Sequence, residues 1–499
     1  MLISLHRRGR SGLRAALFVF LVGAISPCQT EERLALKSRE ANGLMAEGRF
    51  AEAVPIYREL VNALPANPGL RLNLALALHM SGRNPEAIPE FETVLKADPT
   101  SVPALLSLGM ARLQLNQPAQ AVEPLKKVVS LQPENPEARG LFAQALLGAG
   151  RASEAAGEFR RLTKLTPKDP RAWSGLGRCY EALAEQAFVE LDRKARQSAE
   201  WSVLVAESRM AQGQHRAAFF FYRQALEAKP GMRGVHSGLA AVYRATGNPE
   251  WAAVEEAKEK ALGAPDCSAD KVECAFAAGR LLEAAGDRSP YWRAKAYNEL
   301  AIRAFAELGR LPSSVELHAL RAEIAANRGR HLAAVEEWRA ALKLAPGDEG
   351  IERELTVALV AARDYEQAVP RLRKQLDRDA NDPELNFLLG DSLLRMEQPE
   401  KAVPYLEKAA KRDPEVLAVR ASLGQALARI GRAAESIPHL EAALALDDDG
   451  SLHYQLSRAY QAIGDTAKAR EALVKYQEIR RSNEEAQRDL EEQVQITAP

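Results

Sequence analysis

Residues 150–180 read GRASEAAGEFRRLTKLTPKDPRAWSGLGRCY. Three marks in this stretch recur at a fixed step. Ala155 follows Ala53, Ala87 and Ala121, each 34 residues from the next. Pro167 closes the series Pro65, Pro99 and Pro133, and Gly150 closes Gly48, Gly82 and Asn116, at the same spacing. Four residues after each alanine stands a larger side chain: Tyr57, Phe91, Leu125 and Phe159. The period returns as Ala334, Ala368 and Ala402, with Ser436 in the same slot, followed in register by Trp338, Leu372, Leu406 and Leu440. Self-similarity of this kind announces stacked supersecondary units rather than one globular core.

Each mark has a physical reason. The Gly or Asn ends a first helix in the left-handed conformation, which those two residue types adopt most cheaply. Pro85, Pro118, Pro249 and Pro399 follow such turns, where a second helix begins and a missing N–H is harmless. The alanine lets two helices approach closely. The large residue one turn later lies on the same face and fills the space between them. The final proline ends the second helix. One unit is therefore a helix–turn–helix hairpin, and the chain is predicted to be all-α, an α-solenoid.

Trp173, Leu176, Gly177 and Tyr180, followed by the Ala, large-residue and Pro pattern of the other units, resemble the tetratricopeptide repeat (TPR) family, whose signature is W-x2-L-G-x2-Y, then A-x3-F, then P. The resemblance implies a right-handed superhelix of hairpins. It places regular units at 34–169 (four) and 315–483 (five), around an irregular middle at 170–314 that includes two degenerate units; repeats are set at 199–232 and 233–266, and the segments 170–198 and 267–314 depart from the period. Within that middle, 185–197 reads as a short second helix. Residues 269–285 and 291–308 read as two further helices. The charged stretch beyond Tyr476 is predicted to extend the last helix, with 484–499 as its end and a tail.

The composition excludes several classes. Lys plus Arg and Asp plus Glu are 67 each, so the net charge is zero and no basic excess points to nucleic acid. Apolar residues are 46% of the chain, too many for an acidic disordered chain. The N-terminal segment has its own character. Arg7, Arg8, Arg10 and Arg14 precede the apolar run from Ala15 to Ile25. A basic region before a short apolar one is the mark of a secretory signal peptide, here 1–28, and predicts an exported protein, periplasmic or associated with the cell envelope. Ile25-Ser26-Pro27-Cys28 is similar to a bacterial lipobox with Cys28 as the lipidated residue, although Pro27 departs from the small residue expected there. Membrane attachment is expected only through this segment, if it is uncleaved or lipidated.

Motifs that carry chemistry are missing. The sequence holds no H-E-x-x-H, no P-loop, no G-x-S-x-G and no G-x-G-x-x-G. No two histidines are set for a metal at helical spacing, so neither a metal nor another cofactor is expected, and the protein reads as no enzyme. Asp447-Asp448-Asp449-Gly450 lacks the alternating ligands of a calcium loop and reads as a turn between repeats. Cys267 and Cys274 are seven apart. Two full helical turns would hold their Cα atoms about 10 Å apart, so a disulfide requires Cys267 to sit in a turn and fold back; the other reading is two small buried thiols. Cys179 reads as packing. In Phe219-Phe220-Phe221-Tyr222, Tyr222 holds the large-residue slot, and its neighbours divide between the core and a partner surface.

The resemblance also implies a functional surface, the concave groove lined by the first helix of each pair. At the family's groove positions stand Phe387, Asp391, Arg395, Gln425, Arg429, Tyr454 and Arg458. Arg forks and aromatic anchors suit a carboxylate-bearing or extended peptide. The N-terminal units offer the more apolar Leu72, Leu76, Leu106 and Met110. Only Asn73 lies near a position used by the family's chaperone-tail clamps, so that partner class is not expected. The expectation is a non-catalytic scaffold for a protein or extended peptide. Its alternative is an accessory or regulatory subunit of an exported enzyme or of a secretion or assembly complex.

Overall fold

A computed structural model describes residues 27–499, apart from the side chains of 27–30 and 489–493. The predicted signal peptide therefore lies almost wholly outside the described residues, and so does the side chain of Cys28. The described residues form twenty-six α-helices and one short 3-10 helix, with no strand among them. The chain divides into two compact units, 1–149 and 150–499.

The first unit is a run of hairpins. Phe50–Ala63, Asn84–Ala97 and Pro118–Leu131 are second helices, and Pro68–Met80, Val102–Gln114 and Pro136–Gly148 are first helices. The alanines of the repeat, Ala53, Ala87 and Ala121, are fully buried, and Tyr57, Phe91 and Leu125 are within 1% of it. Each large side chain so buried stabilises the stack by about 2–3 kcal/mol. The turns between paired helices are left-handed at Gly48, Gly82 and Asn116, with φ of 75°, 78° and 54°. At the last of these, Gln117 N–H donates to Arg112 O at 2.8 Å and Asn116 N–H to Leu113 O at 3.0 Å. These are the two backbone bonds that close a helix on a left-handed residue.

The second unit uses the same device, at Gly150, Gly329 and Gly431, but also at Arg363 and Glu397, with φ of 60° and 57°. Gly and Asn are thus not the only residues placed there. The flanking bonds, Asp364 N–H to Leu359 O and Gln398 N–H to Leu393 O, both 2.9 Å, hold the turn whatever its residue.

The middle departs from the sequence expectation. Residues 185–197 do not form a second helix; Pro170–Ala195 is one continuous helix. The physical reason is local, because 181–195 holds neither Gly nor Pro and is rich in strong helix formers. The predicted helix over 269–285 is instead two pieces, Lys271–Ala277 and Leu281–Ala284, broken at Gly279, whose φ is 72°. The long helix takes its partner from far along the chain, Pro290–Arg310. Tyr180 and Tyr297 stack with centroids 6.1 Å apart, and Arg293 reaches Glu190.

A close approach shows what this pairing means. In three of the regular units a glycine of the first helix faces the large residue sixteen positions later. A Cβ on Gly109, Gly390 or Gly424 would lie 2.5–2.7 Å from Leu125, Leu406 or Leu440. On Gly177 the corresponding residue would be Arg193, but the side chain met there is Phe305, at 2.3 Å. The unit that begins at Pro170 is therefore a split hairpin, whose second helix is supplied by Pro290–Arg310.

Between the two halves lie the hairpins Ala199–Ala211 with His215–Ala228, and Val235–Ala245 with Pro249–Ala261. Phe219, Tyr222, Tyr243 and Tyr291 form their shared core, each no more than 4% exposed. Of the aromatic run, Phe219 and Tyr222 are buried, while Phe220 and Phe221 are half-buried, Phe221 lying edge-on to Trp201 at 5.8 Å. A disulfide joins Cys267, in a turn, to Cys274, with Cα atoms 5.6 Å apart. Cys179 is fully buried, and loss of hydration pushes its thiol up to about 12.

Candidate functional site

The groove residues picked out in the sequence lie on three first helices of the second unit. Pro383–Arg395 carries Phe387, Asp391 and Arg395; Leu417–Arg429 carries Gln425 and Arg429; Ser451–Ala462 carries Tyr454 and Arg458. Arg395 and Arg429 are each the last residue of their helix, where a cation complements the negative helix end.

The arginines have partners within the chain. Asp391 accepts from Ser422 Oγ at 2.9 Å and lies 3.5 Å from Arg395 Nε, one turn along its own helix. Arg429 reaches back to the preceding unit, to Glu397 Oε2 at 3.0 Å and Leu394 O at 3.5 Å. Both remain about half exposed, at 56% and 46%. Phe387 is half-buried and packs on the core of its units. Tyr454 is 44% exposed and leans on Tyr476, with ring centroids 5.4 Å apart. Gln425 is half-buried and Arg458 exposed. Groove residues of adjacent units are thus tied through Ser422–Asp391 and Arg429–Glu397, while Phe387, Gln425, Tyr454 and Arg458 are placed singly.

The triple aspartate forms a cap. Asp447, 6% exposed, accepts from the N–H of Leu452 at 2.8 Å and of His453 at 3.0 Å, and from His453 Nδ1 at 2.5 Å. Its oxygens satisfy the free N–H groups that open the helix Ser451–Ala462. The cysteine bridge belongs to the segment between the halves of the split hairpin. In the first unit, Leu72, Leu76 and Leu106 are half-buried and rest against the core; the side chain of Asn73 meets Tyr57.

The sequence reading missed a charged stretch upstream of Phe387. The split hairpin brings Arg178 against Glu323. Arg353 bonds Asp382 at 3.0 Å and also reaches Glu384. Glu181 is 49% exposed at its side chain, yet loss of hydration raises its carboxyl, opposed by Arg178 and helped by Glu323. Glu354, also exposed, is raised by the same loss and then by Glu323 and Glu384. This stretch therefore sets two carboxyls whose ionisation is disfavoured, Glu181 and Glu354, beside Arg–carboxylate pairs.

Among the described residues no three His, Cys, Asp or Glu side chains are grouped to hold a metal ion, and no helix is long and apolar enough to cross a membrane. Models of the tetratricopeptide repeat match residues 44–113, 112–179, 387–451 and 450–483. The chain carries tetratricopeptide repeats. No curated protein matches it. Among solved structures it is similar to MamA of Desulfovibrio magneticus RS-1, at 23% identity and a TM-score of 0.31, over 34% of this chain and 97% of that one. A tetratricopeptide repeat protein of Parabacteroides merdae ATCC 43184 is similar at 13% identity and a TM-score of 0.33, over 66% and 99%. YrrB, described as a TPR protein with an unusual peptide-binding site, is similar at 22% identity and 0.29, over 36% and 91%. The tetratricopeptide repeats matched at 387–483 contain Phe387, Asp391, Arg395, Gln425, Arg429, Tyr454 and Arg458.

Proposed function

We propose that the protein is a non-catalytic scaffold of the cell envelope that holds a protein partner by an extended, carboxylate-bearing segment. The observation that carries the reading is the pair Arg395 and Arg429. They close equivalent helices in adjacent units and remain half exposed, and each is held by one carboxylate of the chain rather than by a bidentate clamp. A ligand carboxylate can displace Asp391, which keeps its bond from Ser422 Oγ, or Glu397, which is 80% exposed and returns to water, and a planar guanidinium takes the ligand in two parallel bonds. Tyr454 supplies an exposed aromatic surface further along. The disulfide at Cys267 and Cys274 supports export, since such bridges persist in oxidising compartments.

The binding test uses a labelled peptide library with acidic and neutral members. Arg395→Ala with Arg429→Ala is expected to weaken capture of the acidic members at least tenfold while the melting temperature stays nearly unchanged, because exposed charges contribute little to folding. Capture that survives the double change refutes the site. Export is tested apart from binding, by a periplasmic reporter fused to the chain and by the N-terminal sequence of the mature protein. A cytosolic chain beginning at Met1 refutes it.

A further inference from the structure

A second surface lies on the inserted hairpins, away from the residues proposed above. The last six residues, 494–499, leave the helix Thr466–Gln493 and run without helical structure. Val494 and Ile496 are half-buried, while Gln495 and Thr497 are exposed, the alternation of an extended segment with one face down. Ile496 packs against the aromatic core of the inserted hairpins. Tyr243 belongs to that core and is 1% exposed, and its hydroxyl donates to the carbonyl of Thr497 at 2.7 Å.

The contact has the form of peptide recognition, in which side chains at alternate positions anchor and a main-chain group is bonded between them. A tyrosine this buried needs a partner for its hydroxyl, and the one it has is the backbone of the last six residues. Beside it lies a cavity of about 980 Å³, lined by Gly213, His215 and Thr246 on one side and by Val494 and Ile496 on the other. His215 Nδ1 is buried there with no hydrogen-bond partner. The wall thus offers room and one more polar contact than residues 494–499 use. Those residues carry no charged side chain, and the one charged residue that lines the cavity, Arg216, is exposed rather than buried beside the anchors.

We propose that the inserted hairpins form a docking surface for an extended, uncharged peptide with an aliphatic anchor, and that residues 494–499 of the same chain occupy it as a latch. The occupant fastens the end of the last helix to hairpins more than two hundred residues earlier in the sequence. Any partner segment of the same chemistry binds only by displacing it.

The probe is a fluorescent, amidated peptide with the sequence of residues 494–499, added to the full chain and to the full-chain variant Ile496→Asp. A charged residue in place of the anchor ejects the latch, so the variant is expected to bind the peptide at least tenfold more tightly than the unmodified chain. A chain ending at Gln493 is expected to match the variant. Adding Tyr243→Phe to the variant keeps the ring and removes the donor, and is expected to weaken the peptide several-fold. Equal binding to the unmodified chain and the variant, or no binding to a variant that retains its helical circular dichroism, overturns the proposal. Sedimentation that shows a dimer falling to a monomer on removal of 494–499 also overturns it, by placing the segment on a second copy. The Arg395 and Arg429 variants leave this binding unchanged, so the two surfaces fail or stand separately.

Discussion

Glu397 holds Arg429 of the following unit at 3.0 Å from a turn in which its own backbone is left-handed, with φ of 57°. One residue thus carries both a backbone cost and a tie between units. A side-chain-bearing residue in this conformation costs about 1 kcal/mol or more relative to glycine. The ion pair is exposed, 46% on one side and 80% on the other, and such pairs contribute little. Glu397→Gly is therefore expected to raise stability by up to about 1 kcal/mol in urea unfolding. It also frees Arg429, so an acidic peptide should bind more tightly to this variant, opposite to the effect of Arg429→Ala. A stability loss of the same size would mean that the ion pair outweighs the backbone.

The same turn can be tested without a charge partner on the altered residue. Arg363, with φ of 60°, has no ion pair among the described residues. Arg363→Gly should raise the melting temperature by the backbone term alone. Gly150 supplies the reverse. Its φ is 76°, and a Cβ there would meet nothing within 4 Å. Gly150→Val should cost more than about 1 kcal/mol, all of it conformational and none of it from crowding. An unchanged melting curve would remove the left-handed turn from the account.

These turns show what a sequence can disclose. Asn116 stands in register with Gly48, Gly82 and Gly150, and the exchange of one residue type that tolerates positive φ for the other points to a left-handed cap. Arg363 and Glu397 gave no such sign, because the backbone bonds around them fix the turn and the residue only tolerates it. The split hairpin was hidden for another reason. Helix pairing between Gly177 and Phe305 leaves no local pattern, and the period breaks at Arg193, where the large residue is due. The groove suffered the same loss. Register sets Arg395 and Arg429 at equivalent positions but carries no sign that Asp391 and Glu397 pair with them. Glu181 and Glu323 are brought near one another only by the pairing across the insertion.

Glu354 gives a pH test of the charged stretch upstream of Phe387. Loss of hydration, then Glu323 and Glu384, hold its carboxyl above the ordinary 4.5. A carboxyl raised in the folded state favours folding when protonated. Its ionisation therefore opposes folding at neutral pH, and the opposition fades as pH falls through the folded value towards 4.5. Glu354→Gln should melt at or above the unmodified chain at pH 7, and the difference should vanish near pH 4. A variant less stable at pH 7 would show that the carboxylate makes a compensating bond.

The split hairpin predicts a coupling between residues that no repeat register joins. A Cβ on Gly177 would stand 2.3 Å from the ring of Phe305, against 3.4–4 Å for ordinary contact. Gly177→Ala should therefore destabilise the chain by about 1–3 kcal/mol, the range of overpacking in a close-packed interior, although alanine is the better helix former. Phe305→Leu opens space at the same point and, alone, should cost about 1 kcal/mol in lost contact. Combined, the two changes set a small first-helix residue that bears a Cβ against a leucine, the two residue types that Thr356 and Leu372 place at the same positions of their own unit. The double variant should be more stable than the sum of its parts by at least about 1 kcal/mol, a coupling that residues without contact do not show. Additive costs would separate Gly177 from Phe305. The second half of this repeat would then have to be sought in 181–195, the continuation of its own helix.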